Sequence, residues 1–324
     1  MRRALVLALV TACGNDLPGP GSCDLPPRTA TPELAQVPLF GQAASFDDLA
    51  YSRPLGRVIA APQGTGRLYV VDPETLETQV AAVPGGASSA DANATRIYAA
   101  DRGNDRIVAL DATTLEQVAS QDVNSNPDYV RAATTVPEVW VTTGNLIKIY
   151  DAQTLAPMGS IDVGHPEGLT FDDGGLAYTN SNGKAVVIDV ATRAVMGRFD
   201  TGCGSSHGFP QADPALGIVI GGCGSNGGAG VIANGELVSG IEAGGGAAIL
   251  AYDDARHHLY LRGDPGDTLD ILGVCSDGSM SLLAEVPISQ SGHGAIADDK
   301  GHVWVCNEQT GGLQRITDPF AAAD

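Results

Sequence analysis

The amino-acid sequence predicts an all-β fold, a seven-bladed β-propeller of four-stranded antiparallel blades. Two repeating features support this prediction. Aspartates recur in VVDPETLE, ALDATTLE, IYDAQTLA and VIDVATRA, at Asp72, Asp111, Asp151 and Asp189, with spacings of 39, 40 and 38 residues. Aromatic residues recur at a similar pace, at Tyr98, Trp140, Tyr178, Tyr260 and Trp304. A period near forty residues with four short strands in each unit is typical of propeller blades.

Each unit divides into four β-rich runs separated by turns. In the fourth unit these runs are EGLTFDDG, GLAYTNSN, KAVVIDVAT and AVMGRFDTG, joined by Asp-Gly, Asn-Gly and Thr-Arg turns. Asn and Asp before Gly favour tight hairpins because they tolerate positive φ. The seven units begin near Ser45, Gly86, Pro127, Pro166, Ser206, Ala247 and Gly292.

The last unit contains only three strands, so the ring needs one more strand to close. We expect PELAQVPLF, which precedes the first unit, to supply this outer strand and remove the exposed sheet edges. The propeller is therefore predicted over residues 32–320, followed by a short C-terminal tail at 321–324.

Composition narrows the class of partner. The chain has 18 Lys and Arg against 38 Asp and Glu, a net charge of −20. Such a chain repels phosphate backbones, so we expect no nucleic-acid partner. The 42 glycines and 19 prolines suit a fold with many short strands and turns.

The N-terminus is typical of an exported lipoprotein. Residues 1–13, MRRALVLALVTAC, combine two arginines with an apolar run that ends in a lipobox-like cysteine, Cys13. The apolar run is shorter than the roughly 20 residues that span a bilayer. We expect lipid on Cys13 to anchor the protein to a membrane of the cell envelope, facing the periplasm or the cell surface. Residues 14–31, rich in Gly and Pro, are predicted to be a flexible tether.

Histidines and carboxylates are predicted to meet at one end of the ring. In a propeller, the connection from the outer strand of one blade to the inner strand of the next lies near the axis. The residues predicted at this position are His165, His207, His293 and Glu167, with Asp48 and Asp128 at the starts of two inner strands.

Neutral imidazoles and carboxylates bind zinc, usually as four ligands. The sequence therefore predicts a metal site formed by His165, His207, His293 and Glu167. The alternative is structural, since an imidazole before glycine can also hydrogen-bond loop carbonyls. The other histidines, His257, His258 and His302, are expected to be ordinary surface or edge residues toward the opposite end.

The cysteines suggest one disulfide and leave a second open. Cys203 precedes the inner strand of blade 5, and Cys223 ends the neighbouring strand. The start of one antiparallel strand faces the end of its partner, so we expect these two cysteines to be bonded in an exported protein. Cys275 and Cys306 are predicted at opposite ends of their blades, and their pairing would require an irregular blade 6. Cys23 has no obvious partner.

Two stretches resemble known families. LYVVDPETLETQVAAV and VVIDVATRAVMGRFDTG resemble the YVTN-type repeats of the YncE-like seven-bladed propellers, a likeness that covers roughly residues 33–320. TGCGSSHGFP, with the later GGCGSN and the HGA of the last unit, is similar to periplasmic propeller zinc metallochaperones. This resemblance implies zinc at His207 and His293, and less directly at His165. The His-rich tract of many zinc carriers is missing from this sequence.

Three functions remain open at this point. The first is a non-enzymatic, lipid-anchored binding protein that holds zinc or a protein partner. The second is a metal-dependent, lactonase-like hydrolase, and the third is a pure interaction scaffold. The sequence contains no G-x-S-x-G motif and no phosphate-binding loop, and its histidines suit zinc or copper better than calcium. We therefore favour the binding protein.

Overall fold

A computed structural model describes residues 14–21 and 30–322 and shows seven four-stranded antiparallel sheets. The inner strands are β2 (Phe46–Ser52), β6 (Ala87–Ala92), β10 (Val130–Ala132), β14 (Glu167–Phe171), β18 (Ser206–Asp213), β22 (Ala247–Asp253) and β26 (Ala295–Ala297). The second strands are β3 (Arg57–Pro62), β7 (Arg96–Asp101), β11 (Glu138–Thr143), β15 (Leu176–Ser181), β19 (Ile218–Cys223), β23 (His258–Asp264) and β27 (His302–Asn307).

The third strands are β4 (Arg67–Val71), β8 (Arg106–Asp111), β12 (Leu146–Asp151), β16 (Lys184–Asp189), β20 (Gly228–Ala233), β24 (Thr268–Val274) and β28 (Gly312–Thr317). The outer strands are β5 (Thr78–Ala82), β9 (Gln117–Asp122), β13 (Pro157–Asp162), β17 (Ala194–Asp200), β21 (Glu236–Glu242), β25 (Met280–Pro287) and β1 (Glu33–Val37). Each inner strand contacts the next around the axis, and β26 contacts β2. The predicted seven-bladed propeller is confirmed.

The ring closes through the N-terminal strand, as predicted. β1 pairs antiparallel with β28 as the outer strand of the last blade, with Glu33 opposite Thr317 and Val37 opposite Leu313. The last blade thus combines the two ends of the propeller segment, so the edge of β28 is covered.

The repeating aspartates form the turn between the third and outer strands. Asp72 Oδ1 accepts hydrogen bonds from the backbone N–H groups of Glu74 and Thr75, at 2.9 and 3.0 Å. This side-chain bonding satisfies donors that the strands leave free, and it allows Leu76 to adopt a φ of +62°. Equivalent bonds form at the other repeating aspartates, Asp111, Asp151 and Asp189.

The core lies between blades. One cluster around Ile97 draws on the first and second blades, and another around Tyr150 draws on the second and third. The repeating aromatics are buried at these interfaces: Tyr98, Trp140, Tyr178, Tyr260 and Trp304. Their polar groups remain hydrogen-bonded, as buried Tyr and Trp require.

Residues 14–21 lie against the fifth and sixth blades. The Asp16 amide donates to the Gly202 carbonyl at 2.7 Å, and the Met280 amide donates to the Pro20 carbonyl at 2.7 Å. Asn15 Nδ2 donates to the Ser225 carbonyl at 2.9 Å. This part of the segment predicted as a flexible tether is thus hydrogen-bonded to the propeller.

The predicted environment of three histidines is wrong. His257, His258 and His302 lie at the expected end of the ring, but their side chains are only 22, 0 and 14% exposed. Each Nδ1 contacts a carboxylate, that of Asp213, Asp318 or Asp298 respectively. The second strand of a blade is covered by its neighbours, so an imidazole there is buried and needs a polar partner.

Asp318 connects the end of the last blade to the sixth. Its Oδ2 accepts hydrogen bonds from His258 Nδ1 and from the Tyr260 hydroxyl, both at 2.7 Å. Burial raises the pKa of Asp318, but the hydrogen bond and charge of His258 outweigh burial, so the pKa is lowered. The carboxylate is therefore favoured in the folded protein.

We expect Asp318→Asn to reduce the free energy of unfolding at pH 7 by about 2–3 kcal/mol, because hydrogen bonds to a buried charge are lost. The folded pKa lies below the unfolded value near 3.9, so the deficit persists from neutral pH to about pH 4. It then shrinks as the pH falls through the folded pKa. Urea unfolding at pH 7, 5 and 3 measures this, with the exposed Glu116→Gln as control. A deficit of equal size at pH 7 and 3 would contradict the expectation.

Within the described residues, the one helix is a short 3-10 turn at Arg102–Asn104, and none reaches the length and apolarity of a membrane span.

Candidate binding site at the propeller axis

Two of the predicted ligands meet at the end of the axis where the inner strands begin. His207 is the second residue of β18, and His293 lies two residues before β26. Their Nε2 atoms are in direct contact, and their ring centroids are 4.5 Å apart at an interplanar angle of 73°. The closure of the ring thus brings together two imidazoles 86 residues apart.

Asp264 orients one of these imidazoles. Its Oδ2 lies 3.3 Å from His293 Nδ1, and its Oδ1 accepts a hydrogen bond from the Gly292 amide at 3.3 Å. A carboxylate on Nδ1 directs the other ring nitrogen, Nε2, toward His207. Asp264 was not among the site residues predicted from the sequence, although its position at the end of β23 is equivalent to that of Cys223 at the end of β19.

The pKa values of the two histidines move apart. Burial, together with the neighbouring His293, lowers the pKa of His207 to about 4. Burial also lowers the pKa of His293, but the hydrogen bond and charge of Asp264 outweigh it, so the pKa of His293 is raised. At neutral pH, His207 is therefore uncharged, with a lone pair available on its ring.

The other two predicted ligands form a separate pair. His165 Nδ1 lies 3.4 Å from Glu167 Oε1, and the His165 side chain is 66% exposed. Burial raises the pKa of Glu167, against the opposing charges of His165 and His293. Among residues 14–21 and 30–322, no group of three or more His, Cys, Asp or Glu side chains is arranged to hold a metal ion.

Two carboxylates at the same end are bound by an arginine that was not predicted to lie there. Arg102, in the 3-10 turn of blade 2, contacts Asp47 at 2.9 Å and Asp128 at 3.4 Å. Burial raises the pKa of Asp128 to about 6, despite the charge of Arg102. Asp128 lies at this end of the ring, as predicted.

The prediction for Asp48 is wrong. Its side chain is 1% exposed and binds Arg131 through both oxygens, at 2.6 and 2.7 Å. Ser89 donates to the same carboxylate, and the Arg131 guanidinium lies 4.5 Å from the centroid of the Phe209 ring. Asp48 follows Asp47 on β2, and successive side chains of a strand point to opposite faces, so Asp48 does not share the contact of Asp47 with Arg102.

The predicted disulfide is confirmed and fixes the His207 segment. Cys203 and Cys223 are bonded, with their Cα atoms 5.0 Å apart. Ser206 and His207 pair with Cys223 and Gly222 in the β18–β19 ladder. The bond therefore joins the loop that precedes His207 to the strand beside it.

Two further contacts hold the backbone at this position. Asn180 Nδ2 donates to the carbonyls of His207 and Gly208, at 3.0 and 3.1 Å. Gly208 has a φ of +68°, and a Cβ there would lie 2.6 Å from the Ala248 carbonyl oxygen. A residue with a side chain would therefore displace the strand that carries His207.

The second disulfide considered does not form. Cys306 is a buried free thiol, whereas Cys275 is disulfide-bonded. Regular blades keep these two cysteines at different ends, as their strand positions implied. Cys13 and Cys23 lie outside the described residues.

Comparison with known proteins shows the fold. Neither a protein-family model nor a curated protein sequence matches the chain. A chain of Kuenenia stuttgartiensis hydrazine synthase is 14% identical, with a TM-score of 0.71, over 86% of this chain and 97% of that one. U3-55K is 8% identical, with a TM-score of 0.73, over 88% and 98% of the two chains. A chain of the mitotic checkpoint complex is 13% identical, with a TM-score of 0.73, over 98% and 99%. At these identities the likeness shows the propeller fold alone, because one fold can carry many functions.

Proposed function

We propose that this chain is a non-enzymatic binding protein that holds a zinc ion at the axis, between His207 and His293. The observation that carries the proposal is the convergence of their two Nε2 atoms, with Asp264 on the far nitrogen of one ring. Imidazole nitrogen is a preferred zinc ligand, and a carboxylate on the second nitrogen is the usual outer-shell partner of such a ligand.

The chemistry of the pair supports this assignment. A metal ligand must offer a lone pair, and His207 is uncharged at neutral pH because its pKa is about 4. Asp264 would hold the remaining proton of His293 on Nδ1 and leave Nε2 for the ion. The surrounding loop is braced by the Cys203–Cys223 disulfide. On binding, the two rings, now in direct contact, would move apart to admit an ion about 2.0–2.1 Å from each nitrogen.

Two imidazoles provide half of a tetrahedral coordination sphere. His165 and Glu167 face each other, and Glu167 lies near enough to His293 for their charges to interact. We propose that Glu167, water or a donor atom of a bound partner completes the sphere. A partially open site of this kind suits a protein that exchanges its ion, whereas a closed structural site does not.

The same proposal extends to location and partners. Export as a lipoprotein anchored through Cys13 would place the site in the cell envelope, facing the periplasm or the cell surface. A protein partner would meet the propeller at the end that carries His207. A pure scaffold remains the alternative, since propeller chains with this fold occur in assemblies such as the mitotic checkpoint complex.

Zinc titration against a competing chelator tests the site. We expect about one zinc per chain. His207→Ala and His293→Ala should each reduce affinity by more than the roughly 10–100-fold that loss of an outer-shell partner costs. Asp264→Asn should fall within that range.

Two controls separate the histidine pair from a general effect. His257→Ala removes an imidazole at the other end of the ring and should leave zinc affinity unchanged. His165→Ala tests whether zinc binds to the His207–His293 pair or to the larger predicted set that includes His165. The exposed His165 should contribute little to zinc affinity. Equal zinc affinity in the wild type and His207→Ala would exclude this site and leave the scaffold as the explanation.

A further inference from the structure

A second concave site lies at the opposite end of the axis from His207. It is a chamber of about 760 Å³, lined by residues from all seven blades where the inner strands end. This volume falls within the range of small-molecule sites in proteins, which lie between about 300 and 1,000 Å³. Nothing in the proposed zinc site accounts for it.

The inner limit of the chamber carries little free charge. Arg131 lines it, but both guanidinium nitrogens that face Asp48 are engaged there, at 2.6 and 2.7 Å. The Asp48–Arg131 pair is buried and internally neutral. A ligand in the chamber would therefore not meet Arg131 as an unpaired cation.

The walls combine apolar surface with carboxylates. Phe171, Ile296 and several alanines provide the apolar part. Four aspartates line the chamber: Asp91, Asp172, Asp173 and Asp254. Two of them already have hydrogen-bond donors in the protein: Asp91 accepts from the backbone amides of Ala92 and Ala132, and Asp172 accepts from the Tyr178 hydroxyl.

Asp173 and Asp254 are different, because one arginine of the first blade, Arg53, contacts both. Arg53 Nη1 lies 3.2 Å from Asp173 Oδ2, and Nη2 lies 2.7 Å from Asp254 Oδ1. Arg53 is their only ion-pair partner within the described residues. Its side chain thus reaches across the opening and places a guanidinium between carboxylates of the fourth and sixth blades.

These ion pairs are exchangeable. The three side chains are 52, 72 and 45% exposed, and exposed pairs stabilise proteins only weakly. A competing cation with an apolar body would regain the same charge contacts and also bury apolar surface in the chamber. The net charge of −20 favours the approach of such a ligand.

We propose that this chamber binds a small organic cation, a guanidinium or primary ammonium on an apolar body. The charged group of this ligand takes the place of the Arg53 guanidinium between Asp173 and Asp254. Arg53 acts as an internal competitor that occupies the carboxylates when the chamber is empty.

Phenylguanidinium is a suitable probe, and its binding can be followed by calorimetry and ligand-observed NMR. We expect Arg53→Ala to bind it about tenfold more tightly than the wild type, since the competing ion pairs are removed. Adding Asp173→Asn and Asp254→Asn to Arg53→Ala should weaken binding at least about tenfold, because the counter-charges are lost. Thermal melts of each variant verify that the ring is intact.

The controls test whether binding depends on the charge of the ligand and whether it occurs in this chamber. Benzyl alcohol, an uncharged probe of similar size, should bind much more weakly than phenylguanidinium. Asp122→Asn, on the exposed outer strand β9, should leave binding unchanged, and so should His207→Ala. The proposal is overturned if Arg53→Ala does not bind phenylguanidinium, if the aspartate substitutions leave its affinity unaltered, or if benzyl alcohol binds equally well.

Discussion

Asp48→Asn should lower the free energy of unfolding by about 3–5 kcal/mol, the usual cost of removing one partner of a buried ion pair. The substitution conserves shape but leaves the Arg131 guanidinium, whose side chain is 10% exposed, without its counter-charge. Arg131 keeps neutral contacts with the Phe209 ring, the Ser89 hydroxyl and the Val130 carbonyl. The charge of Asp91 also acts on Arg131, but among the described residues no ion pair joins the two, so Asp91 compensates only in part. Urea unfolding at pH 7 measures the loss.

The matched control is an ion pair in solvent. Lys184 and Asp200 lie 3.4 Å apart, with side chains 44 and 70% exposed. Lys184→Ala should cost at most about 1 kcal/mol. In the double variant Asp48→Asn/Arg131→Met, part of the stability should return, because no unpaired charge remains. A loss below about 1 kcal/mol in Asp48→Asn alone would show that Arg131 finds another counter-charge.

Cys203→Ser/Cys223→Ser should reduce the free energy of unfolding by about 3 kcal/mol, from the entropy of a closed loop of about 20 residues. The expected local effect is on His207, because the bond holds its loop against β19. If the zinc proposal is right, the same variant should also bind zinc less tightly, while retaining the stoichiometry. Urea unfolding and the chelator titration test the two effects separately.

The Cys203–Cys223 bond should be removed by substitution and not by a reducing agent. Cys275 is also disulfide-bonded, so a reducing agent would act on more than the Cys203–Cys223 bond. Cys306→Ala is the cysteine control, since this buried thiol is free. Unchanged stability in the double serine variant would indicate that the ladder of β18 and β19 alone holds the loop.

Local periodicity made the fold predictable. The repeating Asp-x-x-Thr turns are formed by bonds between residues two and three positions apart, such as Asp72 with Thr75. Such contacts are present in the sequence as short patterns, so the blade count and the closing strand Glu33–Val37 could be derived from it. The pairing of Cys203 with Cys223 followed from the same strand order.

The site residues were predictable only as positions along the axis. Strand order places His207 and His293 at one end of the ring, but it does not determine which side chains touch. Their contact, and the role of Asp264, depend on how the fifth, sixth and seventh blades pack together. The packing of the blades also determines that His165 and Glu167 contact each other and stay apart from the His207–His293 pair.

The class of fold, the number of blades, the closing strand and one disulfide can be derived from the order of residues, because they depend on local turns and on the alternation of strands. Only the folded ring shows that Asp48 is buried with Arg131, that His258 contacts Asp318, and that Arg53 spans the opposite opening. Each of these pairs joins residues from different blades. Such partners are set by the packing of whole sheets around an axis, and no short sequence pattern records them.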